Sequence, residues 1–443
     1  MLLSLYRACS AAFAPFAPLF LWWRVRLRAG RPRQEERRIA TERLGEASAA
    51  RPQGRLVWIA TAAASDAARL IPLIDKLAAA GFHVLVTTRD EGAAPPRLPP
   101  FALHQYAPLD VPKFAARFLA SWRPDVALFD GAEFWPNLTR QTRRRGVPIA
   151  LVNAHLSARA FAFLSRTPKL ARALLFGFEA CLARSALDME RLRHLGAGYA
   201  QIVGDPAYDL APEPADSAAL ALLSARIGAR PVWAAFTADQ AEAEAVLNAH
   251  RKVAAKLPGV LTIIAPRRAK SAADILLRAG KLGLEARAAT VAAGDDALPA
   301  ILILTGVDAG PLYRTAGVVF LGRSLGNALS RSLGAAAGGG GLNPIEAAKL
   351  GCAILRGPEV SDFADSYETL DRAGGCALVH DAETLAAEVC LLLFDAAELR
   401  AMGRAAAEEV ERLAGASTRI MQALSPFLAH VFLRPDVEDE AES

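Results

Sequence analysis

The chain has 443 residues, 53% of them hydrophobic and 22% charged, with a formal net charge of +5. At ~150 residues per domain this is material for two to three domains, and the alanine-swollen apolar content reads as a helix-rich α/β enzyme rather than a polytopic membrane protein. The five cysteines, Cys9, Cys181, Cys352, Cys376 and Cys390, lack C-x-x-C spacing, so no zinc site or disulfide framework follows, and the positive balance suits an anionic membrane surface as well as nucleic acid.

Residues 1–23 are apolar apart from Arg7 and serines, with Phe13, Phe16, Phe20, Trp22 and Trp23 clustered, and Arg24, Arg26, Arg28, Arg31 and Arg33 follow at once. Aromatics at headgroup level with arginines on the cytoplasmic side predict an interfacial or barely spanning anchor over residues 1–33. A signal peptide is the rival reading, disfavoured because the charge follows the apolar part and no clear cleavage site is present. Pro15 and Pro18 would kink a spanning helix.

Beyond a charged linker at 34–54, strands are predicted at 55–60, 84–88, 101–108, 126–130, 149–152 and 200–203. A small-residue loop at 61–66 enters a helix over 67–80. Short apolar runs alternating with helix-length segments argue a doubly wound parallel sheet. Runs 126–130 and 149–152, with a basic helix between them, form a βαβ unit whose strands open at their carboxyl ends into polar loops, where such sheets bind ligands. Those loops carry Glu133, Asn137, Asn153, Ser157 and Arg159, while His155 reads as a capping or solvent-facing imidazole. The run Arg140, Arg143, Arg144, Arg145 is a solvated helix face that, beside an anchor, becomes a candidate contact for lipid phosphates.

Pro206, Pro212 and Pro214 mark a linker, after which strands are predicted at 231–236, 261–265, 301–304, 318–321 and 353–355. A Gly-rich run at 338–341 opens a helix over 344–350. The helix 396–413 and the segment 420–433 are expected to pack back across the linker, and the acidic tail 436–443 to be disordered. The domain reading is an anchor at 1–33, one Rossmann-like domain at 34–210, a second at 211–415, and a C-terminal helix and tail at 416–443.

The blocks Glu133-Phe134-Trp135-Pro136-Asn137-Leu138 and Asn153-Ala154-His155-Leu156-Ser157-Ala158-Arg159, in that order on one βαβ unit, closely resemble paired signatures of the Kdo transferase family, which adds 3-deoxy-D-manno-octulosonic acid (Kdo) to lipid A precursors. The resemblance implies an α/β GT-B architecture, two Rossmann-like doubly wound domains facing a cleft, with an N-terminal membrane-anchor helix. It implies CMP-Kdo as donor, a lipid A precursor as acceptor, inverting transfer at the cytoplasmic face of the inner membrane, and neither nucleic acid, metal nor other cofactor.

Residue roles follow from the same resemblance. Asp66, in Ala60-Thr61-Ala62-Ala63-Ala64-Ser65-Asp66, stands where the family loop His-Ser-Val-Ser-x-Gly-Glu carries its base. A carboxylate there would take the proton of the acceptor hydroxyl, with helix capping as the plain alternative. Glu133 is the second catalytic candidate. On the donor side stand Arg267 of Pro266-Arg267, Ser324 of a Gly-Gly-Ser-Leu turn with Arg323 replacing a glycine, and Gly340, Gly341, Asn343 and Glu346 of a Gly-Gly-His-Asn-Pro-x-Glu block with Leu342 in place of the His. Glycines let the backbone approach a phosphate at a helix start, and Glu346 would bind ribose hydroxyls. Asn137, Asn153, Ser157 and Arg159 are assigned to the acceptor.

Departures fall at other matching places. Gly131-Ala132-Glu133 replaces Glu-Thr-Glu, Thr237-Ala238-Asp239-Gln240-Ala241 replaces Thr-His-Glu-Gly-Glu, and Gly204-Asp205-Pro206-Ala207-Tyr208-Asp209 replaces Gly-x-x-Lys-Phe-Asp. A divergent member is expected, which keeps the reaction, uses an altered donor, or binds nucleotide or lipid without turnover. A GT-B enzyme of other chemistry, such as an epimerase, would have no need of the anchor.

Overall fold

In the computed structural model, which describes residues 2–27, 33–89, 96–131, 134–237, 240–289, 297–305, 309–326 and 340–433, seven parallel strands form a first sheet. They are β1 Leu56–Thr61, β2 His83–Thr88, β3 Ala102–Tyr106, β4 Val126–Asp130, β5 Ile149–Ala154, β6 Ala180–Ala183 and β7 Ala200–Ile202, in the order β3-β2-β1-β4-β5-β6-β7. Its helices are α1 Leu2–Phe13, α2 Ala17–Leu27, α3 Arg33–Arg43, α4 Ala64–Arg69, α5 Ile71–Ala79, α6 Pro112–Trp122, α7 Pro136–Arg144, α8 Ala158–Arg166, α9 Pro168–Leu175 and α10 Ala186–His194. The strands read as nearly continuous apolar runs because both faces are covered. On one face Trp58 packs against Phe118 (5.0 Å between ring centroids) and Phe129 (5.2 Å), and its indole N–H donates to Thr87 Oγ1 at 2.9 Å, so the buried ring leaves no polar atom unpaired.

A second sheet is built from β8 Val232–Thr237, β9 Leu261–Pro266, β10 Ala286–Ala289, β11 Ile301–Leu304, β12 Val318–Leu321, β13 Ala353–Arg356 and β14 Cys376–Leu378, in the order β10-β11-β9-β8-β12-β13-β14. The chain divides into one unit of Met1–Leu210 with Ala414–Ser443 and another of Ala211–Leu413. Each is Rossmann-like, and together they make the GT-B class.

Three differences from the sequence reading have physical causes. β6, β10 and β14 escape it because they are short and built from small or polar residues, Ala-Cys-Leu-Ala, Ala-Arg-Ala-Ala and Cys-Ala-Leu. The helix expected over 67–80 starts at Ala64 and breaks at Leu70, where Pro72 in the first turn of α5 removes a backbone donor and forces a restart. The helix Ala396–Leu413 stays with the second unit, and Ala416–Leu433 alone returns to the first. There Ile420, Leu424, Leu428 and Val431 join the core beneath β1, β2 and β4. The predicted tail 436–443 lies outside the described residues.

At the N-terminus α1 and α2 are bent by 77° at a break holding Pro15. No single described helix is long and apolar enough to cross a membrane, although this pair passes together on length and composition. The pair is fastened to the first unit. Tyr6 donates to Asp110 Oδ2 (2.8 Å), Asn137 Nδ2 donates to Ser10 Oγ (3.0 Å), and Ala17 is buried with Val111 and Phe114. α3 is a latch on the sheet edge: buried Glu42 accepts from the Tyr106 N–H (2.6 Å) and from Arg38 (2.7 Å), while Arg43 donates to the Ala107 carbonyl (2.9 Å).

Candidate active site

In the first sheet the strand order reverses between β1 and β4, so the loops after these two strands flank the place where an open α/β sheet takes its ligand. Asp66 lies in the first turn of α4, immediately after β1. Its Oδ2 accepts from the Ala63 N–H at 3.0 Å and its Oδ1 stands 3.9 Å from Arg69, while the side chain stays a quarter exposed. The carboxylate therefore caps the helix start and still has a solvent-facing oxygen, which leaves capping and proton acceptance compatible.

Across the reversal point β4 ends on Asp130, a residue the sequence reading did not single out. Its carboxyl is buried and accepts from Asn153 Nδ2 at 3.0 Å. Burial lifts it from 3.8 to about 7; the Asn153 hydrogen bond opposes this, the neighbouring Asp66 and Asp205 carboxylates add to it, and Arg69 counters them. Asn153 holds this geometry from a left-handed backbone (φ 48°), and its buried Oδ1 has no donor. The legible signal was an acid ending an otherwise apolar strand.

The other first-unit candidates separate by role. Asn137 is buried, and its amide donates to the Asp110 carbonyl (2.6 Å) as well as to Ser10. It ties α1 to α7 instead of presenting itself to solvent. Ser157 caps α8 by accepting from the Ala160 N–H (3.2 Å), and Arg159 is exposed in the first turn of that helix. His155 is partly solvent-facing, as expected, and its ring also pairs with an acid. It stands 3.1 Å from Asp188, which burial alone would raise, but which hydrogen bonds from His155, the Leu156 N–H and Ser185 hold below the usual carboxylate range. Glu133 lies outside the described residues.

In the second unit the donor candidates occupy loops at the carboxyl edge of the other sheet. Arg267 follows β9 directly and is exposed, with its N–H on the Thr237 carbonyl at 3.0 Å. Gly340 and Gly341 have φ of 125° and 79°, conformations that favour glycine; the Gly341 N–H donates to the Arg323 carbonyl (2.8 Å) and the Asp362 N–H to the Gly340 carbonyl (2.9 Å). Arg323, itself at φ 57°, pairs with Asp362 at 3.1 Å, so the loops at 322–326, 340–343 and 357–362 form one knitted platform. Asn343 is exposed and its Oδ1 accepts from the Ile345 N–H (3.0 Å), shaping the start of the short helix Ile345–Lys349.

The remaining two donor candidates hydrogen-bond within the second unit. Ser324 is fully buried; its hydroxyl donates to the Leu321 carbonyl (2.6 Å) and accepts from the Gly357 N–H (2.8 Å), so it pins the loop from inside. Glu346 is half-buried, and its Oε1 accepts from the Glu213 N–H (3.1 Å). The sequence reading also missed Glu242, a buried acid in the first turn after β8 that accepts from the backbone N–H groups of Ser324 (2.9 Å) and Leu325 (3.3 Å). Among the described residues, no three His, Cys, Asp or Glu side chains stand together as a metal would require.

Comparison with known proteins bears on this arrangement. Residues 38–210 match the model of the family described as 3-deoxy-D-manno-octulosonic-acid transferase (kdotransferase). The chain is 29% identical to the 3-deoxy-D-manno-octulosonic acid transferase of Bordetella pertussis over 96% of its own length and 99% of that protein's. It is 28% identical to a probable mitochondrial 3-deoxy-D-manno-octulosonic acid transferase of Arabidopsis thaliana, covering 83% of this chain and 82% of that one. In three dimensions it resembles a UDP-N-acetylglucosamine 2-epimerase from Listeria monocytogenes described as putative, with a TM-score of 0.54 over 85% of this chain and 98% of the other; the 14% identity makes that a likeness of fold alone. With the paired blocks seated on the ends of β4 and β5, the similarity to 3-deoxy-D-manno-octulosonic acid transferases runs nearly end to end.

Proposed function

We propose that this protein is an inverting glycosyltransferase that moves Kdo from CMP-Kdo to a sugar hydroxyl of a lipid A precursor. The observation that carries this reading is the near full-length similarity to Kdo transferases, with its signature blocks at the carboxyl edge of a Rossmann-like sheet. In the proposed step the acceptor hydroxyl oxygen bonds to the anomeric carbon of Kdo as the bond from that carbon to the CMP phosphate oxygen breaks. Asp66 takes the hydroxyl proton and CMP leaves with the bonding pair. Arg267 and the Gly340–Gly341 backbone serve the nucleotide phosphate, Glu346 the ribose, and Ser324 acts by holding the loop. Asn153, Ser157 and Arg159 belong to the acceptor side, and Asn137 supports it from below. No metal takes part in this scheme, and the bent α1–α2 pair seats the protein at the cytoplasmic face of the inner membrane.

The test is transfer from CMP-Kdo to a purified tetraacyl disaccharide phosphate, read by mass, with and without EDTA. A mass increase of one Kdo that survives the chelator is expected. CMP binding with no product would favour the second reading, a paralogue that binds without turnover, for which the departures at residues 131–132 and 204–209 speak.

A further inference from the structure

Residues 1–34 and residues 134–178 contain no Asp or Glu, and the latter carry eight Lys and Arg. The fold brings them together. Leu2 and Leu3 of α1, Phe134 of the loop before α7, Pro136 at the start of α7, and Leu170 and Leu174 of α9 line a cavity of about 1030 Å³ within the first unit. Arg7, Arg140, Arg143, Lys169 and Arg172 complete the wall, with no carboxylate among the lining residues. Desolvation, then repulsion from Arg7 and from Arg144, lowers the affinity of Arg140 for its proton. Among the lining side chains Leu2 and Phe176 stay largely in solvent, 56% and 70% exposed.

An apolar interior closed by cations alone selects a ligand with a hydrocarbon chain and an anionic group at one end. Each buried methylene of such a chain adds to affinity, and arginines are suited to a phosphate by their planar donor fork. We infer that this cavity is a subsite for an acyl chain of the phosphorylated glycolipid acceptor, with Arg7 and Arg140 at its phosphate. The inference rests on the proposed function for its choice of lipid. Bulk phospholipid has the same chemistry, but Phe134 belongs to the connection that leaves β4, the strand ending on Asp130, and Pro136 opens the helix that follows it. A sugar attached to a chain in this cavity therefore lies beside the carboxyl edge of the first sheet, where a bulk lipid headgroup would have no reason to be.

The test uses the full chain in neutral detergent. Ala173→Trp fills the cavity from an exposed position on α9, and Arg140→Glu reverses one charge at its rim. Binding of radiolabelled tetraacyl disaccharide bisphosphate is measured without CMP-Kdo, and KM is measured for this acceptor and for its fully deacylated form. Ala173→Trp should weaken binding and raise KM at least tenfold for the acylated acceptor while leaving the deacylated one unchanged. Arg140→Glu should weaken the bisphosphate more than its dephosphorylated analogue. Equal effects on acylated and deacylated acceptors would overturn the inference, as would unaltered acceptor binding with lost adhesion to phosphatidylglycerol vesicles, which would assign the cavity to bulk lipid. If the wild type binds the acylated lipid and both variants weaken it, yet no Kdo is transferred, the cavity stands and the proposed reaction falls.

Discussion

At the scale of single residues, two carboxyls, Asp66 and Asp130, flank the strand-order reversal. Asp66→Asn keeps an amide oxygen for the Ala63 N–H and so preserves the start of α4, but removes the proton acceptor. A kcat loss of ~10²–10⁴ with unchanged CMP affinity is expected, and a fully active variant would leave Asp66 a cap only. Asp130 predicts a pH dependence of stability. Its native affinity for a proton, near pH 7 against 3.8, exceeds that of the unfolded chain, so its contribution is full below about pH 4 and is lost as pH rises through about 7. The difference amounts to roughly 4 kcal/mol at most. Asp130→Asn should flatten the fall in denaturation midpoint between pH 5 and 8; an unchanged slope would remove the buried carboxyl from the account. When Asp130 is protonated it can donate, and a turned Asn153 amide would bring the orphaned Oδ1 to meet it. None of this was visible in the sequence, because Asp130 reads there as the polar end of a strand and only packing reveals its burial. Asp66 was legible only through its place in a family loop.

Among the elements, the first three helices are part of the fold rather than an appendage. Leu21 is 1% exposed. Leu21→Ala should therefore cost about 2–5 kcal/mol, read by chemical denaturation of the full chain. Glu42→Ala would leave the Tyr106 N–H at the edge of β3 without its acceptor while Arg38 keeps the His104 carbonyl, and a loss of roughly 1–3 kcal/mol is expected. Removing residues 1–33 should leave a folded but less stable protein, because α3 and its latch remain. A truncated chain with no cooperative unfolding transition would show that α1 and α2 are indispensable. The sequence displayed the apolar and basic character of this region, and Pro15 forecast the break. Its docking was not legible, since Tyr6, Ser10 and Asn137 meet only across the fold. The same holds for the long apolar strands, which periodicity located, against β10 and β14, whose small residues carry no pattern to read.

Taking the molecule whole, the second unit has its own sheet and core from residues 211–413, so that segment alone should fold and bind CMP in calorimetry. Residues 1–210 alone should not fold cooperatively, because Ile420, Leu424, Leu428 and Val431 are missing from their core. Restoring 414–433 through a short linker should rescue them. The linker prolines announced the boundary near 210 in the sequence, but nothing local in Ala416–Leu433 says which core it serves; the information lies in its partners, with Asp209 accepting from the Gly415 and Ser417 N–H groups and Arg419 donating to the Val203 carbonyl (2.7 Å). This return of the chain sets the order of biosynthesis. A ribosome delivers the N-terminal helices first, yet the unit that holds them stays unfinished until the helix Ala416–Leu433 is released, by which time the second unit has had its whole sequence available to fold. The nascent protein thus carries an incomplete first unit throughout synthesis of the second, and a stop codon anywhere after residue 413 but before 420 would leave that first core open.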